Sequence, residues 1–197
     1  MNNKYVNRGK ISEYKFRELV RLFALDLTAT QIAELSGLNR NTVNRYLKGI
    51  RQRLAAYCYK QAPFEVSYME QIGEGCQNNF CLGICEENSN VYACIVEEKA
   101  CMNPGIQKQH CLDVILNFSE NKQVWLVDRR ELQKVKPDKI SCIDGFRGFL
   151  KSRLEKFKGI HQETYILHLK ESEFRFNNPK EELYRMMLKI FRRDPLF

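Results

Sequence analysis

No stretch of this chain approaches the 18 or so consecutive apolar residues that a membrane-crossing helix needs, so a helical membrane protein is not expected. The opening MNNKYVNRGK is polar and basic with no apolar core. A secretory signal is therefore not expected there, and a soluble, cytoplasmic protein is. None of the eight cysteines forms a CxxC pair, and His110, His161 and His168 stand at no zinc-finger spacing. Cys76, Cys81 and Cys85 are close enough in sequence to share a metal, yet reduced thiols acting as small core residues explain them more simply. Acidic residues are scarce at one end: residues 1–60 carry 4 Asp/Glu against 12 Lys/Arg, a balance of +8.

The rest of the chain divides differently. Residues 61–135 carry 6 basic against 11 acidic residues, and residues 136–197 carry 14 against 9. The whole chain of 197 residues has a net charge of +8, which favours a polyanionic partner. Its 44% hydrophobic content allows a proper core. A basic head and a body whose acids have another task suit a division into residues 1–60 and 61–197.

The head predicts three helices. Ser12 can cap EYKFRELVRLFAL, whose Phe16, Leu19, Val20 and Phe23 step by three and four along one face. Thr28 followed by Gln31 forms a capping box for a short helix over 29–35 presenting Ile32, Ala33 and Leu35. Gly37 permits a left-handed corner. Asn39 then caps a third helix with Val43, Tyr46, Leu47 and Ile50 as its apolar stripe. Short helix, glycine corner and basic helix make a helix-turn-helix, whose second helix enters the major groove. The DNA-binding candidates are Arg40, Asn41, Thr42, Asn44, Arg45 and Lys48, with Arg51 and Arg53 further on. Arginine forks onto guanine and asparagine onto adenine, while Thr and Lys commonly take phosphate. A plain three-helix bundle with a wet face is the competing reading.

The body reads as a mixture of strands and helices, in an α+β or α/β order. FEVSYMEQIG begins as a strand. NNFCLGIC and VYACIVEE form a hairpin around a four-residue loop, ENSN. Residues 106–118 show helical spacing, KQVWLVD is a strand ending in Asp128, and helices follow over 144–157, 161–176 and 180–193. A carboxylate at a strand end is well placed for metal, though Asp128 could equally cap a helix or pair with Arg129 or Arg130. Asp144 precedes Lys151 by seven residues, close to two helical turns, so both project from one face. Such a pair is either a solvated surface or an acid of a metal site with a phosphate-binding neighbour. Two divalent ions held by carboxylates drive phosphodiester chemistry in many nucleases.

The head LTATQIAELSGLNRNTVNRYLKGIRQRLA resembles the N-terminal module of bacterial insertion-sequence transposases of the Merlin-related group. FCLGICEENSNVYACIVEE resembles that family's hairpin, and FLKSRLEKFKGIHQETYILHLKESEFRFNN closely resembles its tail. The resemblance covers most of the chain, with weak patches at 63–78 and 129–142. It implies a ribonuclease-H-like domain, here truncated and carrying extra C-terminal helices, with a DDE catalytic set. Position by position, the second acid falls on Asp128, the third on Asp144 and the following lysine on Lys151.

Mg²⁺ or Mn²⁺ is the implied cofactor of an active form. Duplex DNA carrying terminal inverted repeats is the implied partner, and a homodimer or larger assembly the implied state. Two departures stand out. The first catalytic Asp falls on Ser67 or Tyr68, with Glu65 and Glu70 near but on other registers. The segment between Asp128 and Asp144 is shortened, and Arg147 replaces the family's usual Trp. Loss of one of three metal-binding acids costs orders of magnitude in rate, so strand transfer is expected to be weak or lost. The alternative is a catalytically inactive DNA-binding regulator or repressor derived from a transposase.

Overall fold

A computed structural model describes residues 3–62, 80–97, 124–128, 142–157 and 162–197. The expected strand at FEVSYMEQIG, with Glu65, Ser67, Tyr68 and Glu70, lies outside the described residues, as do Cys76 and the expected helix over 106–118. The described elements are α1 (Glu13–Ala24), α2 (Ala29–Ser36), α3 (Arg40–Gln61), β1 (Phe80–Glu87), β2 (Asn90–Glu97), β3 (Val124–Asp128), α4 (Cys142–Glu155), α5 (Gln162–Phe176) and α6 (Leu183–Arg193). The fold class is α+β. No described helix is long and apolar enough to cross a membrane.

The chain forms two compact units, one of Met1–Tyr57 with Asn178–Phe197 and one of Cys58–Asn177. This differs from a cut at residues 60/61, because the last helix belongs with the head. α6 is one-sided: Leu183, Met187, Leu188, Ile190 and Phe191 are buried, while Arg185, Lys189, Arg192 and Arg193 are exposed. Its apolar stripe completes the first unit's core, where Phe191 meets Phe16 edge-on at 6.1 Å between ring centroids. Such a stripe has no stable alternative to burial.

Within the first unit the helix boundaries follow from the caps. Ser12 accepts a hydrogen bond from the Lys15 amide at 3.2 Å. The Thr28 hydroxyl accepts from the Gln31 amide, and the Gln31 side chain accepts from the Thr28 amide at 2.9 Å, closing the capping box. Gly37 ends α2 at φ 66°, where a Cβ would be strained. Asn39 Oδ1 accepts from the Asn41 amide at 2.8 Å and so caps α3. Phe16, Leu19, Val20, Phe23, Ile32, Val43, Tyr46, Leu47 and Ile50 are all buried. Leu35 is not: it is 64% exposed, because the eight-residue α2 turns only a narrow face inward, centred on Ile32.

In the second unit the three described strands run in the order β2-β1-β3, and both pairings are antiparallel. The α/β alternative is therefore not what the described strands form: β3 pairs antiparallel with β1 on the side away from β2. The hairpin turn is also tighter than the four-residue loop that ENSN suggested. Glu87 pairs with Asn90, leaving only Asn88 and Ser89 as the turn, at φ 51° and 62°. Two positive φ values give the twist that matches a β-hairpin, and asparagine tolerates that region best after glycine. Ile84, Val91 and Ala93 supply the sheet's share of a core completed by Ile143, Phe146 and Leu150 of α4 and Tyr165 and Leu169 of α5.

The edge of β2 is closed by side chains. Val91 and Ala93 occupy alternate positions on β2, and their outward backbone groups need partners. Asn177 Oδ1 accepts from the Val91 amide at 2.9 Å and its Nδ2 donates to the Val91 carbonyl at 2.7 Å. Glu173 Oε2 accepts from the Ala93 amide at 3.0 Å. The fit is metrical: four residues along a helix rise about 6 Å, and two along a strand about 6.6 Å. Asn177→Ala leaves two backbone groups of Val91 without these partners and is expected to cost about 2–4 kcal/mol. Asn177→Asp keeps the acceptor but sets a carboxylate oxygen against the Val91 carbonyl, so it is expected to be destabilised as well; urea midpoints of the three proteins check both losses.

Candidate nucleic-acid interface

α3 has two unlike faces in its first three turns. At 3.6 residues per turn, Arg40, Asn44, Lys48, Asn41 and Arg45 fall in that order within an arc of roughly 140°. All five are exposed, whereas Val43, Tyr46, Leu47 and Ile50 opposite them are buried. Thr42 is half-buried and lies beyond Arg45, on the flank of this arc. Arg53 turns away from it and donates to the Pro195 carbonyl. Among the described residues no ion pair engages Arg40, Arg45 or Lys48.

The charge follows the same unit. Met1–Tyr57 with Asn178–Phe197 hold 16 Lys/Arg against 7 Asp/Glu, a balance of +9; Cys58–Asn177 hold 16 against 17, or −1. The entire positive surplus of the chain thus resides in the unit that carries the exposed α3 face. A long-range field of that sign attracts a polyanion, and the arc supplies donors at close range.

The candidate catalytic residues occupy the second unit. Asp128 is the last residue of β3, its backbone opposite Cys81 of β1; its side chain lies outside the described part. Asp144 sits in the first turn of α4, where the helix dipole favours a carboxylate. Its Oδ1 lies 3.6 Å from a guanidinium nitrogen of Arg147, which is only 10% exposed. Lys151 follows two turns later on the same side, half-buried. Among the described residues no three His, Cys, Asp or Glu side chains form a group able to hold a metal. An arginine at the carboxylate opposes a divalent cation there, since both compete for the same negative charge. A two-ion site needs several carboxylates, and of the two candidates only the side chain of Asp144 is among the described residues.

A second polar cluster has the composition of a reactive site but a different function. The ammonium of Lys170, fully buried, lies 2.7 Å from Glu173 and 4.6 Å from the centre of the Tyr59 ring. The Cys58 thiol donates to the Lys170 carbonyl at 3.5 Å. Burial, reinforced by the Glu173 charge, pushes the Cys58 thiol well above its ordinary range. Burial also raises Cys94, to about 11. It lifts the Glu173 carboxyl too, against the opposing pull of Lys170. Protonated thiols are weak nucleophiles, and Glu173 is already engaged by the Ala93 amide and Lys170, which gives this cluster a packing role.

Linkage gives these thiols a pH signature. Their protonated form is favoured by folding, so their contribution is complete below the free-thiol range near pH 8.5. It declines as pH rises through that range toward about 11, the value for Cys94. Urea unfolding between pH 7 and 10 is expected to show falling stability, with a shallower fall in Cys58→Ser.

Comparison with protein-family models, with curated proteins and with solved structures gives no match to this chain. Two features were not legible in the sequence. The β2 edge is closed by Glu173 and Asn177, which the tail segment displayed without stating their partners. Phe197, packed against α3, had no signal in the sequence; for the exposed Arg8 and Lys10 the signal was the basic character of the opening residues.

Proposed function

We propose that this protein binds duplex DNA through its first unit, with α2, the Gly37 corner and α3 acting as a helix-turn-helix. The first turns of α3 lie in the major groove. Arg40 and Arg45 fork onto guanine edges, Asn41 and Asn44 read adenine, and Lys48 takes phosphate. The observation that carries this reading is the exposed arc of Arg40, Asn41, Asn44, Arg45 and Lys48 opposite a buried apolar stripe.

The second unit is read as a degenerate ribonuclease-H-like transposase domain, so the ancestral activity is DNA transposition with Mg²⁺ or Mn²⁺. The Asp144–Arg147 ion pair favours weak or lost strand transfer. A derived regulator or repressor is therefore the form of DNA-binding protein best supported here, and the terminal inverted repeats of a related element are its target. Incubating the chain with such repeats in Mg²⁺ or Mn²⁺ separates the readings. Binding without cleavage is expected; efficient cleavage or strand transfer would restore the active transposase.

A further inference from the structure

The two ends of the first unit meet beside the recognition face. Val6 and Leu196 form a parallel bridge. The Asn7 amide donates to the Leu196 carbonyl at 2.8 Å, and the Leu196 amide to the Tyr5 carbonyl at 2.9 Å. This clip is fastened to α3. The Phe197 ring stands 5.7 Å from that of Tyr46, and the Arg45 guanidinium lies over Phe197 at 4.8 Å. Gly49 makes room for it: a Cβ there would come within 3.0 Å of Phe197 and 3.1 Å of Leu196. On the other side of the clip, a Cβ on Gly9 would stand 3.6 Å from the Tyr46 hydroxyl. Residues 8–10 therefore lie at the hydroxyl end of Tyr46, while Leu196 and Phe197 lie against Gly49 on the flank of α3 next to Arg45.

Arg8 and Lys10 are exposed, and among the described residues neither has an ion-pair partner. Their basic neighbours differ: Lys4 and Arg17 pair with Glu13, and Lys15 with Glu18. Arg8 also holds φ 51°, a left-handed backbone that disfavours any residue with a side chain, yet an arginine stands there. A helix is about 10–12 Å across with its side chains, and the major groove is about 12 Å wide. A helix seated in the groove nearly fills it, so whatever flanks that helix meets the phosphate ridge rather than base edges.

We propose that this clip is a second DNA-contacting element, in which Arg8 and Lys10 bind backbone phosphates of the duplex that α3 enters. Phe197 is a positioning residue that holds Arg45 at the edge of the groove. The proposal rests on the DNA-binding reading above, and its test keeps the two distinguishable.

The test measures affinity of the full chain for a fluorescein-labelled mixed-sequence duplex against salt concentration. Each lost phosphate contact is expected to lower the log–log salt slope by about 0.9, so Arg8→Ala with Lys10→Ala lowers it by nearly two. Arg8→Gly relieves the backbone strain. It is expected to leave thermal stability unchanged or higher while still lowering the slope by about one, which damage to folding would not do. Phe197→Ala is expected to weaken binding several-fold in the native background and not in Arg45→Ala. A steep salt slope that is the same in the native and Arg8/Lys10 proteins overturns the clip and leaves the groove reading standing. Absence of salt-dependent binding by the native chain overturns both.

Discussion

Glu171→Ala is expected to destabilise the second unit by about 3–5 kcal/mol, a large part of the roughly 5–15 kcal/mol that holds a domain together. One oxygen of Glu171 accepts from Arg153 and from Arg175, each at 2.8 Å. All three side chains are buried. Arg153 also donates to Ser172 Oγ at 3.2 Å, and that hydroxyl donates to the His168 carbonyl at 2.8 Å. Removing the carboxylate leaves two guanidinium groups in a desolvated place without their common counter-charge. Replacing all three residues together by apolar side chains of similar volume is expected to recover most of the loss, because the desolvation penalty disappears with the charges. Chemical unfolding of Glu171→Ala and of the triple replacement checks both halves. Equal, small losses in the two would mean that water reaches the cluster.

Arg40→Ala and Arg45→Ala are expected to weaken specific DNA binding by about 1–3 kcal/mol each, roughly 5- to 150-fold. Both side chains are exposed on α3, so their removal should leave folding intact. Lys48→Ala is expected to act differently, weakening binding to all sequences alike, since a phosphate contact carries no base information. Competition titrations with specific and scrambled duplexes distinguish these outcomes. Uniform weakening by all three variants would reduce the arc to an electrostatic patch.

The helices of the first unit were legible because each has a local cause. Ser12, Thr28 with Gln31, Gly37 and Asn39 are read directly as caps and corners, and the periodic apolar residues of α1 and α3 found the core. Leu35 failed because periodicity marks a face without saying how wide it is on a short helix. The return of α6 to the first unit was not legible, since a one-sided helix states that it must be covered but not by what.

The tail segment LHLKESEFRF is rich in charge, yet Lys170, Glu171, Glu173 and Arg175 are all buried. Each is satisfied by a partner far along the chain or one helical turn away, and sequence spacing reveals only the second kind. In the structure its polar residues close the β2 edge and bind Arg153, so the charges of this segment serve packing. The Asp144–Lys151 spacing was legible as a shared helix side; the Arg147 that engages Asp144 gives that side its charge balance.

The most direct test of DNA reading by α3 is selection of duplexes from a randomised pool by the full chain. Recovered sequences are then measured against scrambled controls at fixed salt. The expected result is a recurring motif bound at least about 1,000-fold tighter than its scrambled form, the lower end of the usual gap between specific and non-specific binding. That preference should vanish in the Arg40→Ala/Arg45→Ala protein. No recurring motif, or the same motif selected equally by the double variant, would contradict sequence recognition by this helix.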